Sequence, residues 1–369
     1  MNTHGTAGFS KARYGISGLA MNIKPQQKGL SLIELLVSLG LGVFLIMGVV
    51  QVFLSNKEST QIETSLSRIQ ENGRFAIDLL TEDIRKSMHL GCNSGAANLT
   101  TMAKDTIYTG LQGFERTSGG WSPALPTALN TAIGTSALVG SDVLNLQHAE
   151  FWGINPSASI TAASTSVSIA ADPTRANCPQ QNDRVLVADC EAAHLFTVTN
   201  AQPSSCGSAT TLAFAASGND VTSISKGYAT TADVMPFFDK LWYVRDTGRD
   251  QNGVSVLALY RRNNGVEQEM IEGIENMQIL YGEQMNSGNL RYVPASTATL
   301  NMNRVVSVRL GLLVQSYEAV LDADDTAAYQ VLDESIDTVG VTSIFHNTDR
   351  TLRRVFRTTV KLRNRPTSS

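Results

Sequence analysis

One apolar run dominates the chain. From Leu30 to Leu54 the sequence reads LSLIELLVSLGLGVFLIMGVVQVFL, interrupted by a single charge, Glu34. At about 1.5 Å per residue a helix of this length crosses a hydrocarbon core of about 30 Å. Beyond it the period changes. Ile62, Leu66, Ile69, Gly73, Ile77, Leu80, Ile84 and Met88 recur at three- and four-residue steps, with Gln61, Glu63, Arg68, Glu71, Asp78, Glu82 and Arg85 between them. This pattern predicts that the helix continues with one apolar face, which is buried against a globular head. Gly91, Cys92 and Asn93 are the expected stop.

From Cys92 to about Gly140 the chain is rich in Ser, Thr, Gly, Asn and Ala, and little regular structure is expected there. After Ser141, short apolar or alternating runs bounded by turn residues predict strands at 143–146, 185–188, 195–198, 241–245, 254–260, 277–281, 305–313 and 355–362. In the last, Phe356, Thr358, Val360 and Leu362 alternate with Arg357, Thr359, Lys361 and Arg363, one face buried and one wet. Asp246 to Gly253 reads as a hairpin tip. The fold class is therefore α+β: a long N-terminal helix and a mainly antiparallel β head, a spine with a head on it. The segments are 1–29 as leader, 30–54 as membrane helix, 55–91 as amphipathic spine and 92–369 as head.

Charge sets the orientation. Lys24 and Lys28 precede the apolar run, while Lys57 and Glu58 follow it and cancel, so the N-terminus faces the cytoplasm and the rest lies across the membrane. The whole chain carries a net charge of -4 and has a pI near 5.8, which is no footprint for nucleic acid. The four cysteines, Cys92, Cys178, Cys190 and Cys206, all follow the apolar run and form no CxxC pair. They fit one or two disulfides in an oxidising compartment, with three full pairings open, or buried thiols.

Two details set the apolar run apart from a secretory signal. Gly29, the small residue, precedes the run, so cleavage there keeps the helix. Glu34 costs about 3 kcal/mol at the centre of a bilayer and so calls for a partner. Lys28-Gly29-Leu30-Ser31-Leu32-Ile33-Glu34-Leu35-Leu36 resembles the type IV prepilin (class III) signal. The resemblance implies a prepilin peptidase that cuts after Gly29 and methylates Leu30. It also implies that Glu34 pairs with the free N-terminal amine of a neighbouring subunit. The leader of 29 residues is long for that type, and Met21, which opens MNIKPQQKG, offers an alternative start.

Further motifs narrow the resemblance to PilW-type minor pilins. These are Asp83-Ile84-Arg85 with Gly91-Cys92, then Arg184-Val185-Leu186-Val187-Ala188-Asp189-Cys190 followed by Leu195-Phe196-Thr197-Val198-Thr199, then Leu259-Tyr260-Arg261, and finally Val355-Phe356-Arg357-Thr358-Thr359-Val360-Lys361-Leu362-Arg363-Asn364-Arg365. Membership implies a subunit that crosses the inner membrane once, with a periplasmic head, and is then built into the tip of a type IV pilus at the cell surface. The implied partners are other minor pilins, the major pilin, the inner-membrane assembly platform and a tip adhesin, and the implied processes are filament priming, twitching and adhesion. A minor pseudopilin of type II secretion shares the same signal and spine. A membrane-anchored DNA- or surface-binding protein is the reading from a different class.

No HExxH, GxSxG, Walker loop or GxGxxG motif is present, so no enzyme, cofactor or metal is assigned. His4, His89, His148, His194 and His346 are scattered and read as ordinary surface or core residues. Asp322, Asp324, Thr326 and Asp333 resemble a calcium loop, but Ala327 stands where the turn glycine belongs. Asp246 and Asp250 form a second acidic pair. Arg353, Arg354, Arg357, Lys361, Arg363 and Arg365 form a basic run, read as the solvated face of an edge strand.

Overall fold

The computed structural model describes residues 29–92, 98–104, 106–174, 178–251, 253–338 and 344–365. Most of the leader, with Met21, Lys24 and Lys28, lies outside them, as do Asn93 and Asn252. The chain divides into two compact units, the boundary falling between Lys57 and Glu58.

Helix α1 runs without a break from Leu32 to Lys86. In the first unit its residues are apolar on all sides and exposed on all sides, Leu32 and Phe44 by 78% and 77%. That is the surface of a helix meant for lipid or for other helices. In the second unit the helix buries Ile69, Gly73, Ala76, Leu80, Asp83 and Ile84. The expected stripe is present, and it carries one carboxylate. α1 ends several residues before the expected Gly91. Met88 takes a left-handed φ of 63°, and its N–H turns away to the carbonyl of Gln147, 2.8 Å distant.

The head is mostly β. Its larger sheet holds nine strands: β1 (Leu99–Thr101), β2 (Leu111–Thr117), β3 (Gly120–Ser122), β4 (Asp142–Ala149), β6 (Arg184–Ala188), β7 (Ala193–Thr197), β9 (Asp233–Gln251), β10 (Val254–Asn263) and β11 (Val266–Glu272). The main order is β1-β7-β6-β9-β4-β2-β3, with β10 on β9 and β11 on β10. Strand β9 serves three neighbours along its length: β6 through 233–236, β4 through 237–242 and β10 through 240–251. The second sheet has the order β13 (Leu290–Val293), β12 (Ile274–Gln284), β14 (Val305–Ala319), β17 (Thr351–Lys361). Two small ladders, β5 (Ser166–Ile169) with β8 (Thr210–Ala213) and β15 (Tyr329–Val331) with β16 (Glu334–Ile336), complete the strands. A short helix, α2, spans Thr127–Ile133.

The largest core joins α1 to both sheets: Ile69, Leu80 and Ile84 meet Leu144 and Trp242 of the first and Met277, Leu310 and Val360 of the second. The sheets are also tied by polar contacts. Strand β13 pairs with β12 only through 281–284, which leaves the N-terminal part of the β12 edge unpaired by any strand. Residues 140–142 take its place. Ile279 N–H donates to Asp142 Oδ2 at 2.7 Å, Met277 N–H to Ser141 Oγ at 3.1 Å, and the Asn276 and Gln278 amides to the Gly140 carbonyl at 2.9 and 2.8 Å. This accounts for the burial of almost all of β12, since each buried edge group needs a partner.

The region from Cys92 to Gly140 is more regular than its composition predicts, since it contains β1, β2, β3 and α2. In β2 the alternation is interrupted at Gly113, where a Cβ would stand 1.9 Å from the Tyr281 hydroxyl. The close approach of the second sheet demands a glycine there, and the glycine hides the strand from a reading by pattern. The hairpin tip also differs, because 246–251 belong to β9 and the strands run out almost to Gly253.

Candidate assembly site

At the start of α1, Gly29 and Leu30 are exposed and precede the helix. Ser31 opens it: the Leu35 N–H donates to the Ser31 carbonyl at 3.1 Å, and the Ser31 N–H donates to Glu34 Oε2 at 3.3 Å. Ser31 and Glu34 thus stand at the two positions of a capping box, with the glutamate reaching back to the first amide. Among the described residues no cation lies within ion-pair distance of Glu34. Among the described residues the one polar tie of its carboxylate is that weak bond to the Ser31 amide.

At the other end of α1, Asp83 is the charge on the buried stripe. Lys240 Nζ lies 2.7 Å from its Oδ1, and Trp242 Nε1 donates to Oδ2 at 3.0 Å. Both partners are on β9, so the helix is held at a fixed register against the central strand. His148, from β4, packs against the Phe238 ring at a tilt and is fully buried. Burial, and next the Lys240 charge, push its pKa down to about 4. Lys86 lies 2.7 Å from Glu82 and 3.2 Å from Glu150, and the bond to Glu82 holds its pKa up. The sequence points to Asp83 only as part of a motif. Its position on the apolar stripe, between Leu80 and Ile84, is the signal that it needs a buried partner.

The cysteines pair as Cys92–Cys190 and Cys178–Cys206, which leaves no free thiol. The first joins the segment just after α1 to the turn between β6 and β7. The second closes part of the lobe formed by Met102, Val167, Phe196 and Phe214.

The basic run is not one surface. Arg353 is fully buried among three carboxylates: Glu275 at 2.7 Å, Asp349 at 2.9 Å and Asp325 at 3.1 Å. Arg357 donates to the Gln330 carbonyl, and Arg365 is half-buried at the end of α1. Arg354, Lys361 and Arg363 remain exposed on or just beyond β17, an edge strand as expected.

The acidic candidates are also placed apart. Asp322 and Asp324 are exposed, Asp324 lies 3.8 Å from Arg350, and β15 separates them from Asp333. Asp246 and Asp250 accept from the Gly248 and Gly253 amides, both at 2.8 Å, and so shape the turn. His89 bonds the Ala149 carbonyl, His194 bonds Tyr228 and Ser225, and His346 bonds the carbonyls of Ala327 and Asn347. Among the described residues no group of three or more His, Cys, Asp or Glu side chains is placed to hold a metal.

An N-terminal helix long and apolar enough to cross a membrane, and a β-rich head stapled by two disulfides, define an α+β protein whose first helix fits a membrane anchor. The family model described as type IV pilus-assembly protein W matches residues 243–364, from the middle of β9 to the residues after β17. Over residues 243–364 the chain is therefore similar to PilW-type pilus-assembly proteins. No curated protein and no solved structure matches it.

Proposed function

We propose that this chain is a minor pilin of the type IV pilus, cut between Gly29 and Leu30 by prepilin peptidase and methylated on Leu30. The segment from Leu30 to Leu54 stores the subunit in the inner membrane with the head, from Cys92 onward, in the periplasm. After assembly the subunit stands in the tip complex that primes the filament, together with other minor pilins. The observation that carries this reading is Glu34. It is a carboxylate on the apolar, exposed first part of α1, tied among the described residues only to the Ser31 amide. Cleavage after Gly29 creates an amine on each subunit, and an amine from a neighbour removes two charges from lipid at once.

N-terminal sequencing of the protein from cells with and without the peptidase is the direct test. Leu30 is expected as the first residue only where the peptidase is present. Glu34→Ala is expected to leave the protein in the membrane and to lower its recovery in sheared pili at least tenfold. Retention of the leader in wild-type cells would overturn the reading.

A further inference from the structure

The closing motif Leu362-Arg363-Asn364-Arg365 has no place in the assembly scheme above, and the structure gives it one. Strand β17 delivers these residues to the C-terminal end of α1. There the last carbonyls of the helix have no partner within the helix itself. The Asn364 side-chain amide lies within 3.3 Å of three of them, Arg85 and Lys86 at 3.3 Å and Ser87 at 3.0 Å. Arg365 follows. Its Nη2 and Nε lie 2.8 and 3.2 Å from Met88 Sδ, and its Nη1 donates to the Met302 carbonyl. Met88 is the residue in the left-handed conformation that ends the helix, a position where glycine is the usual choice. Here a long side chain is needed, because its sulfur receives the guanidinium.

We propose that Asn364 and Arg365 form a C-terminal latch that caps α1 and fixes the end of the spine to the head. Asn364 supplies donors to the carbonyls of Arg85 and Ser87 and shares that of Lys86 with the His89 N–H, and Arg365 adds a positive charge at the negative end of the helix dipole. The end of the spine is thus finished by residues just after β17, in addition to the ties of Asp83 to β9. This inference does not depend on the pilus reading.

Hydrogen exchange of the full chain in detergent tests it, with Asn364→Ala, Asn364→Asp and Arg365→Met compared against Arg363→Ala, an exposed neighbour. Asn364→Ala is expected to raise exchange at the Ser87, Met88 and His89 amides roughly five- to tenfold, with β12 and β14 unchanged. Asn364→Asp is expected to raise it further, since it replaces donors with a negative charge at the wrong end of the dipole. Equal exchange in all variants would overturn the latch. So would an increase spread evenly over the head, which marks a general loss of stability. Should Asn364→Asp not accumulate, Asn364→Gln, which keeps the donor on a longer arm, is expected to fall between wild type and Asn364→Ala.

Discussion

Removing Asp83 and Lys240 from water costs several kcal/mol per ion, and their pairing offsets this only while both are present. Asp83→Ala therefore leaves a buried ammonium with no counter-charge and frees the Trp242 N–H. A loss of about 3–5 kcal/mol in urea unfolding is expected. Lys240→Met in the same chain is expected to recover most of it, a coupling that a double-mutant cycle reads directly. Asp142 makes a second prediction, of opposite kind. Burial, with Glu115 adding to it, raises its pKa well above the ordinary carboxylate value of about 3.9, although the Ile279 N–H works against the shift. A raised carboxyl contributes most to stability below that ordinary value, and the contribution is lost as pH rises through the folded pKa. Asp142→Asn keeps the acceptor for Ile279 and carries no charge. It is expected to stabilise the protein at pH 7.5 by on the order of 1 kcal/mol and to have no effect below about pH 4, as measured by urea midpoints at the two pH values.

At the scale of elements, α1 was legible because a long apolar run followed by an amphipathic one has few other readings. Three of the four strands of the second sheet were legible for a similar reason, since 277–281, 305–313 and 355–362 are apolar or alternating, whereas β13 was not. What stayed hidden was set by contacts between elements. Strand β2 lost its pattern to Gly113, β11 reads as polar because Glu267 and Glu269 face Arg245 and Arg249, and the burial of Arg353 depends on Glu275 and Asp325, far away in sequence, as well as on nearby Asp349. The candidate site divides in the same way: Gly29, Leu30 and Glu34 announce themselves in the sequence, whereas the Asp83 and Asn364 contacts need the head to be folded. Gly73 shows how one such contact constrains an element. A Cβ there would meet the Phe356 ring at 2.6 Å, so the helix reaches β17 only because residue 73 has no side chain. Gly73→Ala is expected to lower stability by about 1–2 kcal/mol despite its better helix propensity. In a Phe356→Ala background the same change is expected to raise stability by up to about 1 kcal/mol. Thermal melts of the four proteins would show that change of sign.

For the whole molecule, the two disulfides constrain very different lengths of chain. Cys92 and Cys190 are separated by 98 positions and link the segment after the spine to the turn between β6 and β7; Cys178 and Cys206 are separated by 28 within one lobe. If each acts by restricting the unfolded chain, the first is expected to contribute roughly 4.7 kcal/mol and the second roughly 3.6 kcal/mol. Their structural consequences differ more than their energies. Loss of the first leaves the lobe closed and frees the segment after α1, while loss of the second opens the lobe and leaves the spine tied by Asp83 and the core. Cys92→Ser/Cys190→Ser is thus expected to lower the urea midpoint with the larger effect and to raise exchange at Leu90 and around β6 and β7. Cys178→Ser/Cys206→Ser is expected to confine its increase to β5, β8 and their neighbours. A single uniform rise in both double variants would show that the spine end and the lobe unfold as one unit, and that the spine's attachment is a property of the entire head.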